Sequence, residues 1–131
     1  MKKTLILTPA LCGLAFSAAA QDATVNLLSW GGAYGNSHLE AYAKPFEAAS
    51  GVKVVIADAD NPATPIKAMV EAGNVTSDVA SVEYADAVRL CDEGLLETID
   101  AAALTAAADG TAAAEDYIEG GVTDCFVATD V

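Results

Sequence analysis

Thr24–Ala57 reads TVNLLSWGGAYGNSHLEAYAKPFEAASGVKVVIA, and its rhythm decides the architecture. Val25-Asn26-Leu27-Leu28-Ser29 is a short apolar run closed by glycines, the pattern of a buried strand. Trp30-Gly31-Gly32-Ala33-Tyr34-Gly35 reads as a flexible turn. Ser37-His38-Leu39-Glu40 then has the spacing of a capping box, in which hydroxyl and carboxylate satisfy free backbone N–H groups at a helix start. Leu39, Tyr42, Ala43 and Phe46 follow at helical spacing as one apolar stripe. Pro45 is expected to kink this helix or end its regular part, and Gly51 to stop it. The β-branched run Val52–Ala57 predicts a second strand.

The alternation continues outward. Asp58–Thr64 reads as a polar loop, and Thr64-Pro65 as a helix start with Ile66, Met69 and Val70 facing inward before Gly73. Asp78–Val82 is a third strand candidate. A helix from Glu83 to Gly94 would stack Tyr84, Val88 and Cys91 on one side. The alanine-rich Ala101–Ala114 predicts one or two lightly packed surface helices. Val122–Val131 reads as a strand that stops with the chain, so an incomplete chain is expected. Strands alternating with helices imply parallel pairing by right-handed crossovers, hence an α/β fold with helices on a parallel-type sheet.

Met1–Ala20, MKKTLILTPALCGLAFSAAA, has the three-part layout of a cleaved signal peptide: Lys2 and Lys3, an apolar run, and Ala18-x-Ala20. The run is too short and too interrupted to span a bilayer. Leu11, bulky ahead of Cys12, argues against a lipoprotein signal. Residues 21–131 would then form the mature chain, long enough for one small domain. Both leader lysines leave while all 19 acidic residues stay, so the formal charge goes from −13 to −15. Such a surface repels nucleic acid and anionic membrane and attracts cations, although acidity also simply keeps exported proteins soluble.

Cys91 and Cys125 remain after export, and an oxidising compartment favours their pairing. The bridge would close a loop of about 35 residues, worth roughly 3.5–4 kcal/mol on the chain-entropy account. Two buried thiols are the alternative. Neither cysteine belongs to a metal-type cluster, and the one histidine, His38, is expected to face solvent from a first helical turn.

In parallel α/β sheets ligands bind beyond the carboxyl ends of the strands. The loops there are Trp30–Gly35 and Glu83-Tyr84. Trp30 could offer its ring face to a ligand, with Gly31 and Gly32 admitting close approach, or could equally cover the sheet as a core residue. Glu83 could hold a cationic group or simply complement a helix dipole. Asp58 and Asp60 carry the same ambiguity and lean toward solvated side chains. The glycines lack dinucleotide spacing, Asn74-Val75-Thr76 fits a glycosylation sequon of little meaning in bacterial export, and no catalytic or metal set can be assembled.

Taken together, LLSWGGAYGNSHLEAYAKPFEAASGVKVVIADA and SDVASVEYADAVRLCDEGLLETID resemble the amino-terminal part of bacterial extracellular solute-binding proteins. The resemblance runs from about Thr24 to Val131 and is strongest to the spermidine/putrescine-binding branch that serves ABC importers. It rests on the strand-Trp-x-x-x-Tyr turn, on Lys44-Pro45-Phe46-Glu47 with Gly51-Val52-Lys53-Val54, and on Glu93-Gly94-Leu95-Leu96 leading to Ile99-Asp100. It implies a two-lobed periplasmic receptor, with residues 21–131 an incomplete first lobe that stops near the first crossing at Thr123–Phe126. The implied partners are a small cationic, polyamine-like solute and an inner-membrane ABC permease; the protein would be a monomer, catalyse nothing and carry no cofactor. Trp30 and Tyr34 fall at the family's aromatic ligand contacts, and Glu83 at a contact after the third strand. Gly31-Gly32-Ala33 departs from relatives that can carry an acidic residue there, which leaves room for a different solute with Glu83 as compensating charge. The alternative is a complete small secreted α/β enzyme or interaction protein unrelated to transport.

Overall fold

The computed structural model describes residues 23–128; the expected leader, Met1–Ala20, lies outside the described residues. The chain forms β1 (Thr24–Ser29), α1 (Gly32–His38), a π turn (Leu39–Ala43), α2 (Lys44–Ser50), β2 (Lys53–Asp58), α3 (Ala63–Glu71), β3 (Val79–Ala80) and α4 (Tyr84–Asp92). A 3-10 turn (Ala101–Ala103) and α5 (Ala113–Asp116) follow. The α/β expectation holds. The sheet is parallel throughout, in the order β2-β1-β3.

With β1 in the centre, the crossover from β1 to β2 and the one from β2 back past β1 to β3 run in opposite directions, so right-handed connections put their helices on opposite faces. Side chains alternate along a strand, so Leu28 looks to one face and Leu27 and Ser29 to the other. Leu28 packs with Ala63, Ile66 and Leu90 of α3 and α4, and Met69, Val70, Val82, Leu95 and Leu96 close around them. Leu90 is fully buried. Among the described residues α1–α2 lies across the opposite face, and a cavity flanks that helix on each side.

The first helix begins at Gly32, five residues before the expected cap. Gly31 makes this possible: its φ of 76° and ψ of −174° turn the chain straight from β1 into helix. Ser37 therefore sits inside the helix, where its hydroxyl donates to the Tyr34 carbonyl (2.7 Å), and Glu40 pairs with Lys44. The capping box does not form. Pro45 has no N–H to give, and in a regular helix its ring would press on the Ala41 carbonyl. The π turn widens the helix just there, with the Lys44 N–H reaching Leu39 O. The extra residue also throws the apolar stripe out of phase. Ala43 is buried, but Tyr42 and Phe46 stay exposed. Gly51 does end the helix, in the left-handed region with φ 73°.

Other expectations shift as well. On α4 the buried residues are Ala87 and Leu90, whereas Tyr84 is exposed and Cys91 half-buried at the margin. The third strand shortens to Val79–Ala80, although Asp78 N–H to Asn26 O and Ser81 N–H to Leu28 O extend its bonding to β1 (both 2.9 Å). Ala101–Ala114 is mostly irregular. The Asp100 and Asp109 carboxylates capture the N–H groups of Ala102 and Thr111 (both 2.9 Å), and alanine buries too little area to compete. In place of a strand at Val122–Val131, a tight turn is closed by one antiparallel bridge, Val122 to Val127; residues 129–131 lie outside the described residues. Thr123 Oγ1 holds the turn by accepting from the Phe126 N–H (3.0 Å). Cys91 and Cys125 are joined by a disulfide, Cα–Cα 5.8 Å, which ties this turn to α4.

Candidate solute cleft

The three strands end side by side at Ser29, Asp58 and Ala80. Backbone leaving β1 crosses close above Asp58. A Cβ on Gly31 would stand 3.0 Å from both Cβ and Cγ of Asp58, and one on Gly35 would stand 3.3 Å from Asp58 Oδ1. The glycine turn thus makes room for a carboxylate rather than for a dinucleotide. Asp58, Gly32, Gly35, Asn36 and Leu39 border a cavity of about 390 Å³ on the β2 side of α1.

On the β3 side lies a second cavity of about 390 Å³, lined by Tyr34, His38, Tyr42, Ser81, Tyr84 and Phe126 with the strand edge behind them. Tyr34, His38 and Tyr42 share one side of the helix. The His38 ring meets Tyr34 edge-on at 4.5 Å and Tyr42 at 5.5 Å. Across the opening, Tyr34 Oη lies 3.5 Å from Ser81 Oγ. Tyr84 and Phe126 meet edge to face at 5.6 Å, and the adjacent disulfide brings Phe126 there. Aromatic walls with a few polar groups are the usual lining of a small-molecule site.

His38 corrects the sequence expectation of a solvent-facing residue. It is 9 % exposed, and its Nδ1 lies 3.1 Å from Oγ of Ser29, which is fully buried. The histidine belongs to the second turn of α1 once Gly32 starts the helix, and that rotation points it at the sheet. A serine with no accessible surface cannot meet a substrate, so the pair is not a nucleophile and base. Among the described residues no three His, Cys, Asp or Glu side chains converge to hold a metal.

Of the residues singled out from sequence, Tyr34 lines the aromatic cavity. Trp30 is half-buried and borders neither cavity; Glu83 is exposed in extended backbone at the start of α4, its side chain making no capping bond. Sequence reading missed His38, Tyr42, Ser81 and Phe126 as cavity residues; it placed Tyr84 in a loop at the strand ends without giving it a contact. Tyr34, His38 and Tyr42 do recur every four positions, a signal hidden by placing the helix start at Ser37. Shifted carboxyls lie away from this cavity. Asn26, chiefly through its backbone N–H, holds Asp78 below the usual carboxylate range, and Lys67 and then Arg89 do the same for Glu93.

The family model for bacterial extracellular solute-binding proteins matches residues 41–130, and the chain belongs to that family. It is 39 % identical, over 92 % of its own length and 33 % of the relative's, to the gamma-aminobutyric acid-binding protein of Pseudomonas aeruginosa PAO1. Among solved structures it resembles the periplasmic binding protein AgtB of Agrobacterium tumefaciens R10 in complex with agropinic acid. That match has a TM-score of 0.67 and 34 % identity over 79 % of this chain and 30 % of that one. An ABC transporter structure from Rhodopseudomonas palustris CGA009 matches with TM-score 0.56 and 30 % identity, over 65 % and 25 % of the two chains. The chain thus spans about a third of the length of these relatives. Among the described residues no helix is long and apolar enough to cross a membrane.

Proposed function

We propose that the chain is the first-lobe part of a periplasmic solute-binding component of an ABC importer, exported by the leader at Met1–Ala20, that passes its solute to an inner-membrane permease. No reaction is catalysed. Binding would close a second lobe over the cleft. The observation that carries the reading is the extended identity with a gamma-aminobutyric acid-binding protein, over a stretch that includes the aromatic cleft at the strand ends.

The solute we propose is a small amino acid rather than a polyamine. The two relatives whose names give a solute bind acids, gamma-aminobutyric and agropinic. In this reading Tyr34 packs against the solute's methylene chain, while Trp30 and Glu83, on the loops after β1 and β3, lie outside the cavity lining. With a third of a receptor present, affinity should be weak, so nuclear magnetic resonance titration suits it. Gamma-aminobutyrate should shift Tyr34 and Ser81 resonances at millimolar concentration, and putrescine should need several times more. Equal or reversed preference would return the polyamine reading, and no response to either would remove the cleft as a solute site.

A further inference from the structure

We infer that His38 supplies the hydrogen-bond donor that receives the solute's carboxylate, through Nε2–H, and so selects acids over amines. The inference rests on the solute-cleft reading above and deepens it. It starts from the Ser29–His38 contact. Ser29 is fully buried, and its hydroxyl has one side-chain partner among the described residues, His38 Nδ1. If the ring donated from Nδ1, the serine proton would be left in a dry interior without an acceptor, which is costly. The hydroxyl therefore donates to Nδ1, and the neutral ring carries its own proton on Nε2.

Nε2–H makes no hydrogen bond within the described residues. Among the described residues no fully buried side-chain nitrogen or oxygen lacks a partner, which leaves Nε2 on the small exposed part of the ring. The space that His38 lines is the aromatic cavity, where the hydroxyls of Tyr34 and Ser81 stand as further donors. Charge decides which end of a zwitterion belongs here. Among the described residues no Asp or Glu lines this cavity. The cavity on the other side of α1 has the Asp58 carboxylate in its wall. Beside His38 an anionic group meets donors and no carboxylate among the described lining residues, whereas an ammonium meets no charged acceptor in that lining.

The test follows the imidazole of the 131-residue chain by ¹H–¹⁵N correlation near pH 8, titrating gamma-aminobutyrate and, separately, putrescine. The free chain should show the Nε2–H tautomer. Gamma-aminobutyrate should move the Nε2 signal while Nδ1 stays nearly still, and putrescine should move neither. H38Q keeps a donor and should bind gamma-aminobutyrate within a few-fold of the parent, whereas H38F should lose roughly ten- to a hundredfold. An Nδ1–H tautomer, or H38F binding as tightly as the parent, overturns the role of His38 and leaves the cleft reading standing. Failure of gamma-aminobutyrate to perturb any resonance overturns both.

Discussion

Ser29 Oγ and His38 Nδ1 lie 3.1 Å apart beneath α1, joining the last residue of the central strand to the second turn of the helix that follows it. The bond sets the helix's rotation on the sheet. With His38 held inward, Tyr34 and Tyr42 flank it, one turn to either side, and the three rings form one wall of the cleft.

Ser29→Ala should therefore destabilise the fold although it removes only one atom. It strands a buried imidazole nitrogen, at a cost of about 1–3 kcal/mol. Urea denaturation at pH 8 measures this. A change below about 0.5 kcal/mol would mean that Nδ1 finds another partner and that the rotation of α1 is set elsewhere.

Gly31 is under two constraints, and they are separable. Its φ of 76° with ψ of −174° is a backbone region left almost entirely to glycine, costing about 1–3 kcal/mol for other residues, and a Cβ would also strike Asp58. Gly31→Ala should be distinctly worse than Gly32→Ala, where φ is 57° and the space is open. Adding Asp58→Ala to Gly31→Ala should recover only the part of the clash owed to Asp58 Cγ and Oδ2, since the Cβ at 3.0 Å remains, and leave the backbone part. Melting temperatures of the three variants decide it.

Asp78 ties the start of β3 to β1, accepting from the Asn26 backbone N–H at 2.8 Å and its side-chain amide at 3.0 Å. These bonds lower its folded pKa. A depressed carboxyl contributes stability that is complete above its unfolded value, near 4, and is lost as pH falls through the lower folded value. The melting temperatures of the parent and of Asp78→Ala should thus differ at pH 7 and converge between about pH 4 and pH 2. A gap unchanged across that range would rule the ionised form out as its source.

Reducing the Cys91–Cys125 bridge should lower the urea midpoint more than any single surface substitution, since it frees a loop spanning 34 positions. It should also release Phe126 from Tyr84. Parallel denaturation with and without reductant, read by near-ultraviolet dichroism of the aromatic rings, separates the two effects. An unchanged midpoint would place the turn at Val122–Val127 outside the cooperative unit.

Strand–helix alternation could be read directly from residues, because Val25–Ser29 and the β-branched stretch after Gly51 have few other ways to bury themselves. The helix start could not. Ser37 and Glu40 satisfy the local rule for a cap, but a glycine in a rare conformation moved the boundary to Gly32. That displacement turned His38 from an expected surface residue into a buried one. Similarly, Pro45 announced an irregularity without saying whether it would be a kink, an end or a π turn.

By itself the sequence determined the alternation of elements, the parallel sheet class and the likeness to extracellular solute-binding proteins, since each depends on short-range pattern or on ordered motifs. Only the tertiary structure decided which side chains share a cavity. Tyr34, Ser81 and Phe126 are brought together by strand order, by the rotation of α1 and by the tie between Cys91 and Cys125. Such contacts join residues tens of positions apart and leave no periodicity along the chain; they arise when apolar surface and buried hydrogen bonds are satisfied simultaneously in three dimensions.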